Sequence, residues 1–208
     1  MTPETLISAF VTLFVIIDPI GIAPLFLGLT ADRTAAQRRS IAVRAVVIAI
    51  CVLIAFAVGG QWLLEVTGIS LPAFRVAGGI LLFWIAFEMV FEKRNQRKST
   101  SAERSVVEEP HDDIAAVPLA VPLMAGPGAI TAVILLASRP GGDWLDLLWV
   151  IGVVASSLLV TLAILLIAVP IDRLIGKTVR TVVTRLLGVI LAALAVQFVA
   201  DGVTALMS

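Results

Sequence analysis

Apolar residues in this chain do not alternate with polar ones; they come in long runs separated by short charged connections. A helix needs about 20 apolar residues to cross roughly 30 Å of hydrocarbon. Six runs meet that length: residues 5–29, 41–64, 71–91, 114–137, 145–171 and 186–207. The pattern predicts an all-α polytopic membrane protein with six transmembrane helices in one transmembrane domain over residues 1–208. The second helix is expected to start in the cytosol, before it enters lipid, because Thr34-Ala-Ala-Gln37 fits a capping box that satisfies the orphan amides of a helix start. Residues 92–113, EKRNQRKSTSAERSVVEEPHDD, have almost nothing apolar to bury. They read as a flexible, solvated loop between residues 1–92 and 114–208. The alternative reading of this loop is a partner-docking site.

Composition supports the same class. The chain is 60% hydrophobic and 14% charged, with a mean hydropathy of +1.08, whereas soluble domains are about half apolar. The formal net charge of zero argues against nucleic acid as a partner. Cys51 is the lone cysteine and His111 the lone histidine, so no disulfide within the chain and no His/Cys metal site can be built. No basic residue precedes the first apolar run, so that run is expected to stay as a span and not be cleaved as a signal peptide.

Charge sets the orientation. Arg33, Arg38, Arg39 and Arg44 flank the first connection. Lys93, Arg94, Arg97, Lys98 and Arg104 lie in the third, and Arg173, Lys177, Arg180 and Arg185 in the fifth. Thirteen of the fifteen basic residues thus fall on odd connections, leaving Arg75 and Arg139 on the other side. The positive-inside rule places the odd connections in the cytosol and both termini outside, across a cell inner (plasma) membrane.

The two halves carry a weak internal repeat. Aligning RVAGGILLFW at Arg75 with RLLGVILAAL at Arg185 matches Gly78 with Gly188, Ile80 with Ile190 and Leu81 with Leu191. One stretch opens the third span and the other opens the sixth. Three spans per half make the second half inverted relative to the first. The first and fourth spans are interrupted near mid-depth, by DPIGIAP (Asp18, Pro19, Gly21, Pro24) and by LMAGPGAIT (Gly126, Pro127, Gly128, Thr131). Proline lacks an amide hydrogen and clashes with the preceding turn, and glycine lets the chain leave helical geometry. The freed backbone groups are tolerated only where protein or a water-filled cavity surrounds them. Matched interruptions in inverted repeats point to a transporter's binding site. Asp18 is costly in lipid and should face the bundle interior. It serves either as the cap of the half-helix after Pro19 or as a ligand for an ammonium or a proton. The two roles do not exclude each other.

Other polar residues in the spans need partners. Arg75 and Asp201 sit near the outer ends of the third and sixth spans, and Glu88 and Arg185 near their inner ends, so two charge pairs, Arg75–Asp201 and Glu88–Arg185, are expected. Trp62, Trp84, Trp144 and Trp149, with Gln61, read as interface or packing residues. Ser156, Ser157 and Thr161 are expected to bond to backbone, since no histidine or lysine in the membrane is placed to activate a serine.

With these motifs together, the sequence resembles the MarC family of bacterial inner-membrane proteins, which includes SnatA-type transporters of small neutral amino acids. The resemblance covers the whole chain. It implies two inverted three-helix repeats, with helices one and four unwound around the substrate. It also implies a substrate site at Asp18, Pro19, Gly21 and Pro24 with Gly126, Pro127, Gly128 and Thr131, glycine- or alanine-like substrates, and proton coupling. No cofactor or metal is implied.

The leading expectation is therefore a secondary transporter working by alternating access. Its partner is a small zwitterion, its carboxylate on half-helix amides and its ammonium on Asp18 and freed carbonyls. The alternatives are an exporter of another small metabolite, or a non-transporting membrane protein such as an assembly subunit. A lipid-modifying enzyme would need a convergent acid, base or metal set, which the sequence does not offer. No nucleotide-binding motif is present to couple ATP.

Overall fold

The computed structural model describes residues 2–94, 97–100, 113–138, 144–170 and 176–207. Expectations that fall on Arg104, His111, Arg139 and Arg173 lie outside these residues. Among the described residues the fold is all helix and turn. Thr2 caps helix α1 (Pro3–Ile17), and α2 (Pro19–Leu29) follows after one residue. Together they make a 27-residue apolar unit. Helix α3 (Ala35–Thr67) opens with the expected capping box: the Gln37 amide donates to Thr34 Oγ1 at 3.3 Å, and the Thr34 amide donates to Gln37 Oε1 at 2.9 Å. Its 33 residues extend about 50 Å at 1.5 Å per residue, well past the hydrocarbon. Gly68, at φ 70°, ends it in the left-handed conformation that glycine adopts without penalty. Helix α4 (Leu71–Val90) is capped by Ser70.

The second half starts irregularly. Segment α5 (Ala115–Met124) is wound but not regular, because Val117 and Val121 are extended. Each precedes a proline, whose ring disfavours helical geometry in the residue before it. Helix α6 (Pro127–Ala137) follows after a bend of 59°. Helices α7 (Trp144–Leu166) and α8 (Lys177–Met207) complete the described chain. Five helical units are long and apolar enough to cross a membrane, and the bent α5–α6 pair makes a sixth when counted as one span.

The broken elements form the centre of the bundle and the intact ones its rim. The apolar window of α1–α2 is 61% buried, against 22% for that of α8. Ile22 of α2, Leu119 of α5 and Ala132 of α6 are fully buried. Outward-facing residues are large and apolar: Trp62, Trp84, Trp144, Trp149 and Leu159 are all exposed, the expected surface of a protein solvated by lipid. Helices α4 and α8 make the most extensive helix–helix contact, antiparallel and close. A Cβ at Gly79 would lie 2.9 Å from the Ala195 carbonyl, at Gly188 3.1 Å from that of Ala86, and at Gly202 2.9 Å from that of Pro72. Small residues admit this backbone approach, which is how membrane helices gain packing energy without a hydrophobic drive between them.

The third connection departs from expectation. Residues 93–94 and 97–100 are helical, and Arg94 and Lys98 are buried. The start of the charged run is therefore not a solvated loop but part of the bundle interior. The reason is a buried acid that needs cations, described next.

Candidate functional site

The break in the first span is built around Asp18. This residue sits at φ 56°, ψ 65°, a left-handed conformation that Asp tolerates better than most side chains. It ends α1, donating its amide to the Phe14 carbonyl at 2.9 Å. It also starts α2, accepting the Gly21 amide on Oδ1 at 3.1 Å, with Pro19 at the first helical position where its missing amide costs nothing. The cap role expected for Asp18 is present in the geometry.

The carboxylate does more than cap. Asp18 is fully buried, and its Oδ2 lies 3.6 Å from Lys98 Nζ and 3.9 Å from Arg94 Nε. The same two cations take the carbonyls that end α1: Arg94 Nη2 donates to Ile16, and Lys98 Nζ donates to Ile17 at 3.1 Å. A helix C-terminus attracts positive charge, and two cations on one carboxylate offset its desolvation. Burial, and then the neighbouring Arg94 charge, push Lys98 down to about 7, against the opposing pull of Asp18. Burial likewise lowers Arg94.

The second break differs. Gly126 precedes α6 with no side chain capping the helix start. A Cβ on Gly126 would stand 2.5 Å from the Pro122 carbonyl, so the chain folds back too tightly there for a larger residue; one on Gly128 would stand 2.4 Å from Ile85 Cδ1, the movable end of a side chain of α4. A cavity of about 290 Å³ opens here, lined among others by Ile16, Arg94, Lys98, Gly126, Pro127 and Gly128. A cavity of about 310 Å³ between Phe26, Arg38, Arg39 and Leu165 is slightly larger. It touches neither break, so the smaller one is the better candidate.

Of the residues expected at the site, Gly126, Pro127 and Gly128 line this cavity, and Asp18 reaches it only through Arg94 and Lys98. Pro19, Gly21, Pro24 and Thr131 do not line it. Thr131 packs its methyl group toward Gly78 of α4. The expected charge pairs are replaced by others. Glu88 lies 3.0 Å from Arg97 and accepts the Trp84 indole N–H at 3.1 Å; Arg185 lies 3.0 Å from Glu92. Asp201 accepts from Gln197 at 2.6 Å within its own helix, and no ion pair joins it to Arg75. Antiparallel packing sets the four residues at matching levels, but Glu88, Arg185 and Asp201 have their partners elsewhere. Arg94, Arg97 and Lys98 are the site residues that sequence reasoning missed. Their one signal is the spacing of 94 and 98, one helical turn apart. Ser156 and Thr161 bond to backbone carbonyls as expected, at 2.9 and 2.8 Å, whereas the buried Ser157 hydroxyl has no hydrogen-bond partner among the described residues.

An all-α bundle with a buried carboxylate at one helix break and a cavity at the other defines a polytopic integral membrane protein. Residues 4–207 match the model of the MarC family integral membrane proteins, and the chain belongs to that family. It is 39% identical to the UPF0056 membrane protein MJ1677 of Methanocaldococcus jannaschii, covering 98% of both chains. It is 34% identical to the UPF0056 membrane protein YvbG of Bacillus subtilis, covering 95% of this chain and 93% of that one. Identity to the UPF0056 inner membrane protein MarC of Salmonella typhimurium is also 34%, over 93% and 91% of the two. No solved structure matches the chain significantly.

Proposed function

We propose that this protein is a secondary transporter of small neutral amino acids, glycine- or alanine-like, working by alternating access across the inner membrane. The observation that carries the reading is the pair of helix breaks at the buried centre of the bundle, one of them opening on a cavity of about 290 Å³. That volume sits at the lower bound of ligand cavities, about 300 Å³, and suits a small solute. The element order supports two inverted repeats: a broken span followed by two long helices occurs twice. Irregular backbone at membrane depth is tolerated only where protein or a water-filled cavity surrounds it, and the second break has such a cavity.

Proton coupling is assigned to Lys98, which is pushed to about 7 and changes charge near working pH. The test is uptake of labelled amino acids into proteoliposomes, with and without a pH gradient. Gradient-driven accumulation of glycine or alanine is expected, and Lys98→Met should uncouple it from pH. Uptake of no panel member above empty liposomes would refute the reading. A periplasmic reporter fused at the C-terminus tests six spans with both termini outside; it is silent if α5–α6 enters and leaves on one face.

A further inference from the structure

The cavity at the second break has a chemical preference. The first amides of α6 lack an acceptor within the helix, by the geometry of any helix start. Pro127 has no amide to offer, and Ile130 already donates to the Gly126 carbonyl at 3.0 Å. That leaves Gly128 and Ala129, both lining the cavity. No side chain caps them. An uncapped start of an 11-residue helix carries partial positive charge.

The second observation is independent. Arg94 lines the same cavity and is 4% exposed, yet its Nε and Nη1 have no hydrogen-bond partner. Only Nη2 is bonded, to the Ile16 carbonyl. A buried guanidinium with unsatisfied donors is costly until an acceptor arrives, and its planar fork matches a carboxylate. Around the cavity stand Arg94, Arg97 and Lys98, against Asp18 and Glu88. Helices α5 and α6 carry no charged residue. Among the described residues, no carboxylate lines the cavity to draw an ammonium: Asp18 Oδ2 has no hydrogen bond but lies behind Arg94 and Lys98, at 3.9 and 3.6 Å, and the Ile16 and Ile17 carbonyls are taken by the same two cations.

We infer that this cavity is a carboxylate site, in which Arg94 and the Gly128 and Ala129 amides hold a small carboxylate and the ligand's ammonium is not required. The inference goes beyond transport of neutral amino acids, because it admits simple monocarboxylates as ligands. It needs only binding, so it stands or falls separately from transport.

The test is isothermal titration calorimetry on the purified full-length protein in detergent, using alanine, propionate and alaninamide. These probes carry both groups, the carboxylate alone and the ammonium alone. Alanine and propionate should bind within about tenfold of each other. Alaninamide should bind at least tenfold more weakly, the loss of hydrogen bonds to a charged group. Arg94→Lys keeps the charge beside Asp18 but not the fork, and should weaken alanine and propionate alike by about tenfold. Alaninamide binding as tightly as alanine, propionate failing where alanine binds, or no heat from any of the three would overturn the inference. So would wild-type affinity in a folded Arg94→Lys protein.

Discussion

The two helix breaks resolve the same problem in opposite ways. At Asp18 the chain supplies partners for its freed backbone groups: a carboxylate for an amide of α2, and two buried cations for carbonyls of α1. That break barely interrupts its span, and α1 and α2 act as one crossing unit. At Gly126 no side chain caps the helix start, the path bends by 59°, and a cavity remains. The contrast teaches that a broken membrane helix is not by itself a ligand site. It becomes one where the freed backbone groups keep no partner from within the protein.

Removing a partner at the closed break should cost most. Asp18→Ala deletes the cap and leaves Arg94 and Lys98 buried without their carboxylate, an expected loss of about 3–5 kcal/mol in reversible unfolding in detergent. Asp18→Asn keeps the cap and should lose distinctly less. Equal losses would mean the cap contributes nothing and the charge everything. At the open break, Gly126→Ala drives a Cβ against the Pro122 carbonyl, which is backbone and cannot rotate away. About 1–3 kcal/mol of overpacking is expected by the same measurement. Gly128 meets the movable tip of Ile85 at 2.4 Å and, less closely, Ile16 and Leu82, so Gly128→Ala should cost less than Gly126→Ala. Gly128→Val should leave the protein monodisperse on size exclusion while abolishing ligand binding; intact binding would place the ligand elsewhere.

A further effect is on pH dependence. Folded Lys98 releases its proton near pH 7, while an unfolded lysine holds it to about 10.5. Between those values the unfolded chain binds more protons, so this residue makes stability rise with pH. The rise should flatten in Lys98→Met when thermal unfolding is followed at pH 7 and pH 10. An unchanged slope would mean that Lys98 is not the titrating group.

Much of the fold is legible in the sequence. Long apolar runs leave a chain no option but membrane helices. The Pro/Gly clusters marked both breaks, because missing amides and missing Cβ atoms act locally. The capping box at Thr34 is equally local. The charged run after α4 misled for the same reason: its composition is that of a solvated loop, and nothing within it reports a buried acid. Arg94 and Lys98 find the first break 78 and 81 residues away in sequence. The Glu88 and Arg185 partners failed likewise, since level along a helix follows from residue count but rotation about its axis does not.

Sequence by itself thus determined the class, the spans and where backbone regularity must fail, because each depends on hydropathy, backbone donors and sterics within a few residues. Tertiary structure alone decided which break is sealed and which stays open. That choice depends on whether distant cations can reach a low-dielectric interior and be worth more there, beside Asp18 and two bare carbonyls, than in water.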